Sequence, residues 1–175
     1  PSKIELVGNG LVLRPPRAGD FLDWSALRTR SRAFLSPWEP SWPADDLTRG
    51  GWRRRLSAYA RERRDGSALA LFIYSHEPNT GKLELVGGIR LSNISYGVQQ
   101  SASIGYWLGQ DYIGHGFMSR AVDMVCHFAF DRLGLHRVEA CCIPENTASA
   151  RVLDRCGFAE EGMAKAYLKI NGQWQ

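Results

Sequence analysis

The sequence predicts a mixed α/β fold: a mostly antiparallel sheet flanked by helices, with one right-handed strand–helix–strand crossover. Three observations predict it. Between Ala68 and Gly109, the apolar segments "ALALFIY", "LELVGGIRLSNI" and "SASIGYWLG" follow one another with only turn-rich residues between them, which reads as an antiparallel meander. From Phe117 onward, apolar residues recur at helical spacing. After that helix, "HRVEACCI" is again apolar and β-branched, so a strand returns parallel to the one before the helix.

The elements follow in order. "GLVLRPPRAGD" predicts a first strand over Leu11–Arg14, stopped by Pro15-Pro16. Asp20 is placed to cap a helix from Phe21 to about Arg32. "FLSPWEPSWPADD", residues 34–46, is rich in Pro and Trp and reads as an ordered loop. A helix from about Asp46 to Arg64 follows, weakened at Gly50-Gly51. The meander has its strands at Ala68–Tyr74, Leu83–Ile94 and Ser101–Gly109, with Gly87-Gly88 marking a bulge or a close approach. The long helix places Phe117, Ala121, Val122, Val125, Phe128, Ala129 and Leu133 on one face, and Gly134 ends it. His136–Ile143 is the returning strand. "NTASARVLDRCGF" is a short helix opened by Asn146 and closed by Gly157, and Ala166–Ile170 is a last strand.

The 175 residues suit a single domain over 1–175 that buries its core without staples. Hydrophobic residues make up 44% and charged residues 23%, an ordinary globular balance. "PSKIELVGNG" contains no apolar signal-peptide core, and no apolar run reaches membrane-spanning length. Of the four cysteines, Cys126 falls within the long helix and Cys141 and Cys142 are strand neighbours facing opposite sides; Cys156 is the fourth. None has CxxC or Cys/His ligand spacing. Buried, reduced thiols in a cytoplasmic protein are expected, with no metal.

The formal net charge is +4, with 18 arginines against 4 lysines. The basic residues concentrate between Arg49 and Gly66, a solvated helix face or an electrostatic approach to an acidic partner such as a ribonucleoprotein surface. Aromatic residues are not interleaved there as stacking platforms, which argues against direct nucleic-acid readout.

Chemistry concentrates at "YWLGQDYIGHGFMSR", residues 106–120, where a strand gives way to the long helix through Gly114-His115-Gly116. A glycine loop feeding a helix start presents free N–H groups and the positive end of the helix dipole together, which suits phosphate oxygens. A Walker loop needs Gly-Lys-[Ser/Thr], and here Phe117-Met118 follows Gly116; a dinucleotide fold needs a third glycine, and none is present. A pyrophosphate bound without either machinery suggests coenzyme A.

The runs "IGYWLGQDYIGHGFMSRAV", "HRVEACCIPENTASARVLDRCGF" and "EEGMAKAYLKINGQW", with "RAFLSPWEPSWP" in the N-terminal half, resemble the GNAT superfamily of N-acetyltransferases. More narrowly they resemble its RimJ/RimL ribosomal-protein alanine N-acetyltransferases, over almost the whole chain. The resemblance implies a twisted, mostly antiparallel sheet splayed between its fourth and fifth strands. It implies acetyl-CoA as co-substrate, with the pyrophosphate on Gly114, His115, Gly116, Phe117, Met118 and Ser119. The pantetheine arm would meet Trp107, Leu108 and Gly109, and Asn146 would also contact it. Where relatives often carry Gln or Arg three residues before the first glycine, this chain has Asp111, whose carboxylate must then point away from the phosphates.

Direct transfer from a thioester to an amine needs a deprotonated amine, a donor for the oxyanion and a proton for the leaving thiolate, but no metal and no enzyme nucleophile. The tyrosine acid of many relatives is replaced by Leu153, and Ser149 matches the serine that RimL-like members use. A related acidic residue before the last strand is replaced by Ala166, leaving Glu84, Glu139, Glu145 and Glu161 as candidate bases. The resemblance sets Trp38, Glu39 and Trp42 over the acceptor channel, where aromatic walls and a carboxylate suit a peptide N-terminus.

The expected function is acetyl transfer to a primary amine, with a ribosomal-protein N-terminus leading. A small-molecule amine acetyltransferase is one alternative, and a non-catalytic acyl-CoA-binding sensor is another. Asn171-Gly172 favours a tight hairpin, yet only Gln173, Trp174 and Gln175 follow. The expectation is that the biological protein extends further, and that without the extension an open sheet edge invites pairing with another chain, including a homodimer.

Overall fold

The computed structural model describes residues 4–175. Its main sheet has six strands in spatial order β1 (Leu6–Gly8), β2 (Leu11–Arg14), β3 (Leu69–His76), β4 (Leu83–Ser95), β5 (Ser101–Leu108) and β6 (Arg137–Glu139). All neighbours are antiparallel except β5 and β6. The strand-to-strand connection between those two carries α4 (Phe117–His127), as the crossover predicts.

Strand alternation builds two cores. On one face Leu11, Leu13, Leu71, Ile73, Ile89 and Ile104 meet Met118, Ala121, Val122 and Val125 of α4. On the other, Phe72, Tyr74 and Leu85 meet Trp24 of α1 (Phe21–Arg30) and Trp52 of α3 (Arg49–Asp65). The Trp24 and Trp52 rings stack with centroids 4.7 Å apart. The sheet is thus covered by helices on both sides, and the helix that starts at the glycine loop is anchored by its own apolar stripe.

Several elements differ from expectation. Strand β1 precedes the first predicted strand and forms a hairpin with β2 through Asn9-Gly10, both at positive φ (52° and 75°). This is the dipeptide that a two-residue hairpin demands. The first helix stops at Arg30, and a separate turn of helix, α2 (Arg32–Leu35), follows. The second long helix starts at Arg49, because the Thr48 hydroxyl caps it by accepting the Gly51 N–H at 3.1 Å. Gly51 belongs to the first helical turn; a Cβ there would lie 2.3 Å from the Asp45 carbonyl oxygen.

The returning strand is three residues long instead of eight. It pairs Ser101–Ser103 with Arg137–Glu139, after which β5 continues to Leu108 with β4 alone. Residues 140–143 have strand-like composition but pair with no strand among the described residues. Cys141 and Cys142 are consequently exposed and outside any strand, contrary to the buried pair expected; Cys126 and Cys156 are half-buried. The last strand is also shorter. Ala166 adopts φ 49°, outside the extended region, and β7 (Lys169–Ile170) pairs with β8 (Gln173–Trp174) through Asn171-Gly172 as a separate hairpin. The Asn171 N–H donates to the Glu39 carbonyl at 2.8 Å, tying the hairpin to the N-terminal loop. No helix among the described residues is long and apolar enough to cross a membrane.

Candidate active site

The glycine loop is shaped by its own backbone. Gly114 and Gly116 have φ of 83° and 70°, the left-handed region that costs a side-chain-bearing residue about 1–2 kcal/mol. Gly116 stands at the N-cap of α4 and offers no side-chain cap, and the first helical bond there runs from the Arg120 N–H to the Gly116 carbonyl at 3.2 Å. The N–H groups of Phe117, Met118 and Ser119 therefore have no helical acceptor. Arg120 completes the arrangement from behind. Its guanidinium donates to the carbonyls of His115 and Gly116, both at 3.3 Å, and to that of Asn9. Turning those carbonyls onto Arg120 leaves the opposite ends of their peptide units, the N–H groups, available for an anion. The helix dipole acts in the same direction.

Side chains of the loop have separate duties. Met118 is buried in the core, so only its backbone is free for a ligand. His115 is exposed, with its ring 5.8 Å from that of Phe117. The Ser119 carbonyl accepts from the Cys156 thiol at 3.3 Å. Asp111 is paired with Arg30 Nε at 2.9 Å, so its charge is engaged on α1 rather than left on the loop.

The strand that feeds the loop has a free side. Beyond Ser103, the β5 backbone groups that would pair with β6 have no strand partner among the described residues, and a notch opens between the diverging strands. Trp107 and Leu108 stand on this stretch. Gly109 is committed elsewhere: its N–H donates to the Val86 carbonyl at 2.8 Å and its carbonyl accepts from the Tyr112 N–H at 3.0 Å. Gly88 provides the close approach predicted for the Gly87-Gly88 pair, since a Cβ there would lie 2.4 Å from Trp107 Nε1. An extra residue, Val86, bulges from β4 beside it.

Across the notch stands α5 (Thr147–Arg155). Asn146 caps it: the Oδ1 atom accepts the Ser149 N–H at 3.1 Å. The Ser149 hydroxyl lies 3.0 Å from the Tyr106 hydroxyl, and Tyr106 also reaches the Ser149 carbonyl at 3.3 Å. Burial pushes the Tyr106 pKa up to about 12, with the Ser149 bond opposing the rise, so the phenol stays protonated at neutral pH. Partial burial also raises the Cys142 thiol, and again the Ser149 hydroxyl works the other way, favouring charge on sulfur.

The N-terminal loop is organised by a residue that sequence reasoning missed. Arg28 is 7% exposed and binds both oxygens of Glu39, each at 2.7 Å. Trp42 Nε1 donates to Glu39 Oε2 at 2.7 Å. The same guanidinium lies 4.0 Å from the Trp42 ring centroid and 4.9 Å from that of Trp107. One buried cation thus joins the N-terminal loop to the notch strand. Trp38 is half-buried nearby, but no hydrogen bond or ring contact among the described residues joins it to this cluster. A cleft of about 200 Å³ opens beside Trp42, lined also by Arg32 and Asn171.

A sequence model described as "Acetyltransferase (GNAT) domain" matches residues 10–159. The chain belongs to the GNAT acetyltransferase family. It is an acetyl-CoA-dependent acetyltransferase. It is 31% identical over 173 residues to the [ribosomal protein uS5]-alanine N-acetyltransferase of Escherichia coli, covering 99% of this chain and 87% of that one. The crystal structure of the ribosomal-protein-S5-alanine acetyltransferase of Vibrio fischeri superposes with a TM-score of 0.87 at 31% identity, covering 98% of this chain and 92% of that one. Mycobacterium smegmatis RimJ, solved in complex with CoA-disulfide, also reaches 0.87, at 34% identity, covering 98% and 82%. The glycine loop, the notch and the free amides of this GNAT domain fit a pyrophosphate on an extended arm.

The candidate carboxylates of the GNAT domain are scattered. Glu84 accepts from the Tyr112 hydroxyl, whose pKa is pushed up to about 12 by burial and by that bond. Glu139 and Glu161 both pair with Arg137, which holds Glu161 below the usual carboxylate range. Glu145 is exposed. None of these four is hydrogen-bonded to Ser149 or Tyr106. Among the described residues, no three His, Cys, Asp or Glu side chains gather as metal ligands would. Tyr106 and Arg120 were legible only as a strand residue and a helix residue. The available signal for Tyr106 was alternation, which puts it on the same face of β5 as Ile104 and Leu108.

Proposed function

We propose that this enzyme transfers the acetyl group of acetyl-CoA to the N-terminal α-amine of a protein, with a ribosomal protein as the leading acceptor. The observation that carries the reading is the Ser149 hydroxyl at the first turn of α5, held by the Asn146 cap and facing the unpaired stretch of β5. Acetyl-CoA, when bound, supplies an activated thioester. The amides of the Gly114–Ser119 loop hold its pyrophosphate, and the free side of Trp107 and Leu108 receives the pantetheine arm. Gly109 shapes the turn, since its own backbone groups are engaged. Asn146 holds the first turn of α5 in place through its cap and leaves its amide group at the notch. Ser149 donates to the sulfur as it leaves.

No carboxylate need act as a strong base. An α-amine has a pKa of about 7.7–8.0, so a useful fraction is already neutral near pH 7.5. A lysine side chain, at about 10.4, would be almost fully charged. The missing base thus favours an α-amine acceptor. Arg32 and Trp42 line the approach, and because Glu39 is already satisfied by Arg28 and Trp42, it braces the acceptor loop rather than binding an ammonium. The names of the relatives, which act on a ribosomal-protein alanine, support the acceptor class. The cationic face of α3, where Arg53, Arg61 and Arg64 are exposed and form no ion pair among the described residues, supports an approach to an acidic particle.

A thiol-release assay with acetyl-CoA tests the proposal, using peptides beginning with Ala or Ser against spermidine, free amino acids and aminoglycosides. Turnover confined to peptides is the expected result. Turnover confined to small amines would replace the acceptor, and CoA binding without any turnover would make the protein a sensor.

A further inference from the structure

We infer that Tyr106 is a positioning residue for acetyl transfer: of the two Ser149 acceptors within its reach, Oγ at 3.0 Å and the carbonyl at 3.3 Å, its one proton goes to the nearer Oγ and so directs the single Ser149 proton to the departing sulfur. This rests on the proposed role of Ser149 and extends it to a residue that touches no reacting atom.

The need for such a partner is chemical. A serine hydroxyl carries one proton and two lone pairs, and rotates freely. At the third residue of a helix it can turn back to a backbone carbonyl of the preceding turn, where its proton is lost to catalysis. A donor that occupies an Oγ lone pair leaves the proton free to point elsewhere. Tyr106 is built to be that donor. Its phenol stays protonated, held on a strand, while Ser149 is held by the Asn146 cap on the facing helix. The bond spans the notch where β5 and β6 have already parted, three residues beyond the last paired residue, Ser103. It therefore fixes the distance between the two walls as well as the direction of the proton.

The proton balance closes without a change of charge on either hydroxyl. The amine nitrogen forms the C–N bond and gives a proton to water. The C–S bond breaks with its electron pair on sulfur, Ser149 protonates the sulfur, and water returns a proton to Ser149. Tyr106 keeps its own proton throughout.

The test is a double-mutant cycle on the full chain, with steady-state kinetics on a peptide acceptor or, if none turns over, on whichever amine does. Ser149→Ala should lower kcat by about 100-fold. Tyr106→Phe should lower it by about 10-fold while the KM for acetyl-CoA stays within about twofold. In the Ser149→Ala background, Tyr106→Phe should change kcat by less than about twofold, because its effect passes through the missing hydroxyl. Tyr106 keeps the Ser149 carbonyl as a partner in that background, so the comparison leaves no orphaned phenol. Independent effects that multiply would make Tyr106 a structural residue and overturn the inference, as would a Tyr106→Phe enzyme of undiminished kcat. If Ser149→Ala itself is fully active, the acid assignment fails and the inference with it. That result is distinguishable from a failure of Tyr106 alone.

Discussion

The Arg28 guanidinium binds both carboxylate oxygens of Glu39 at 2.7 Å, and does so 4.0 Å from the Trp42 ring. Arg28 Nε is buried with no hydrogen-bond partner among the described residues, so the Glu39 bonds, with the Trp42 and Trp107 rings, carry the compensation for its burial. Glu39→Ala should therefore destabilise the protein by about 3 kcal/mol, the usual cost of stranding one member of a buried pair. It should also raise the acceptor KM more than the acetyl-CoA KM, because Trp42 loses its hydrogen bond and Arg28, its cationic neighbour, loses the carboxylate that fixes it. Thermal melts and paired KM measurements check this. An unchanged acceptor KM would remove the N-terminal loop from the acceptor site.

Two glycines of the loop region should fail differently when substituted. Around Gly116 a Cβ would meet nothing within 4 Å, but φ is 70°. Gly116→Val should stay folded and bind CoA at least 10-fold more weakly by calorimetry, since the strained residue must reset the amides it presents. At Gly109 a Cβ would lie 2.4 Å from Leu27 Cδ1. Gly109→Ala should cost about 1–3 kcal/mol of stability by overpacking. A folded Gly116→Val protein with native CoA affinity would show that the loop does not hold the cofactor.

Arg120 offers a separate probe of the same loop. Its guanidinium grips three carbonyls, two of them in the glycine loop and one in the β1–β2 hairpin. Arg120→Ala should weaken CoA binding by about 10-fold, as loss of charge-assisted bonds worth about 1.5 kcal/mol predicts. Arg120→Lys should recover only part of the loss, because one ammonium cannot reproduce the planar fork. Full recovery by lysine would mean that charge alone is what matters.

The exposed arginines of α3 predict a dependence on the size of the acceptor. Replacing Arg53, Arg61 and Arg64 by Gln should leave kcat/KM on a short peptide unchanged and lower it on an RNA-containing ribosomal particle, with a weaker dependence on salt. Equal activity on both acceptors would return that face to the role of a solvated helix surface.

The parts of the fold that were legible depend on local pattern. The apolar stripe of α4, the meander and the Asn171-Gly172 turn all follow from spacing within about ten residues. The identical signal at Asn9-Gly10 stands without flanking support, because β1 is only three residues long and its burial pattern is weak. Residues 140–143 were read as strand from composition, but pairing depends on a neighbour, and β5 diverges there. At the site, the glycine loop was legible because its requirement is a backbone one. Arg28, Tyr106 and Arg120 were not, since each acts across 11 to 111 residues of sequence, on Glu39, Ser149 and Asn9. A side chain's partner at that separation is set by topology, and no single-sequence periodicity carries it.

Acetyl delivery to an α-amine, and not to a lysine side chain, is what distinguishes this enzyme's proposed reaction. The most direct test is tandem mass spectrometry of a peptide that starts with Ala and carries internal lysines, after incubation with the enzyme and acetyl-CoA. One acetyl group on the first residue, with every lysine unmodified, is the predicted result. Acetyl groups on lysine side chains with a free N-terminus would contradict it.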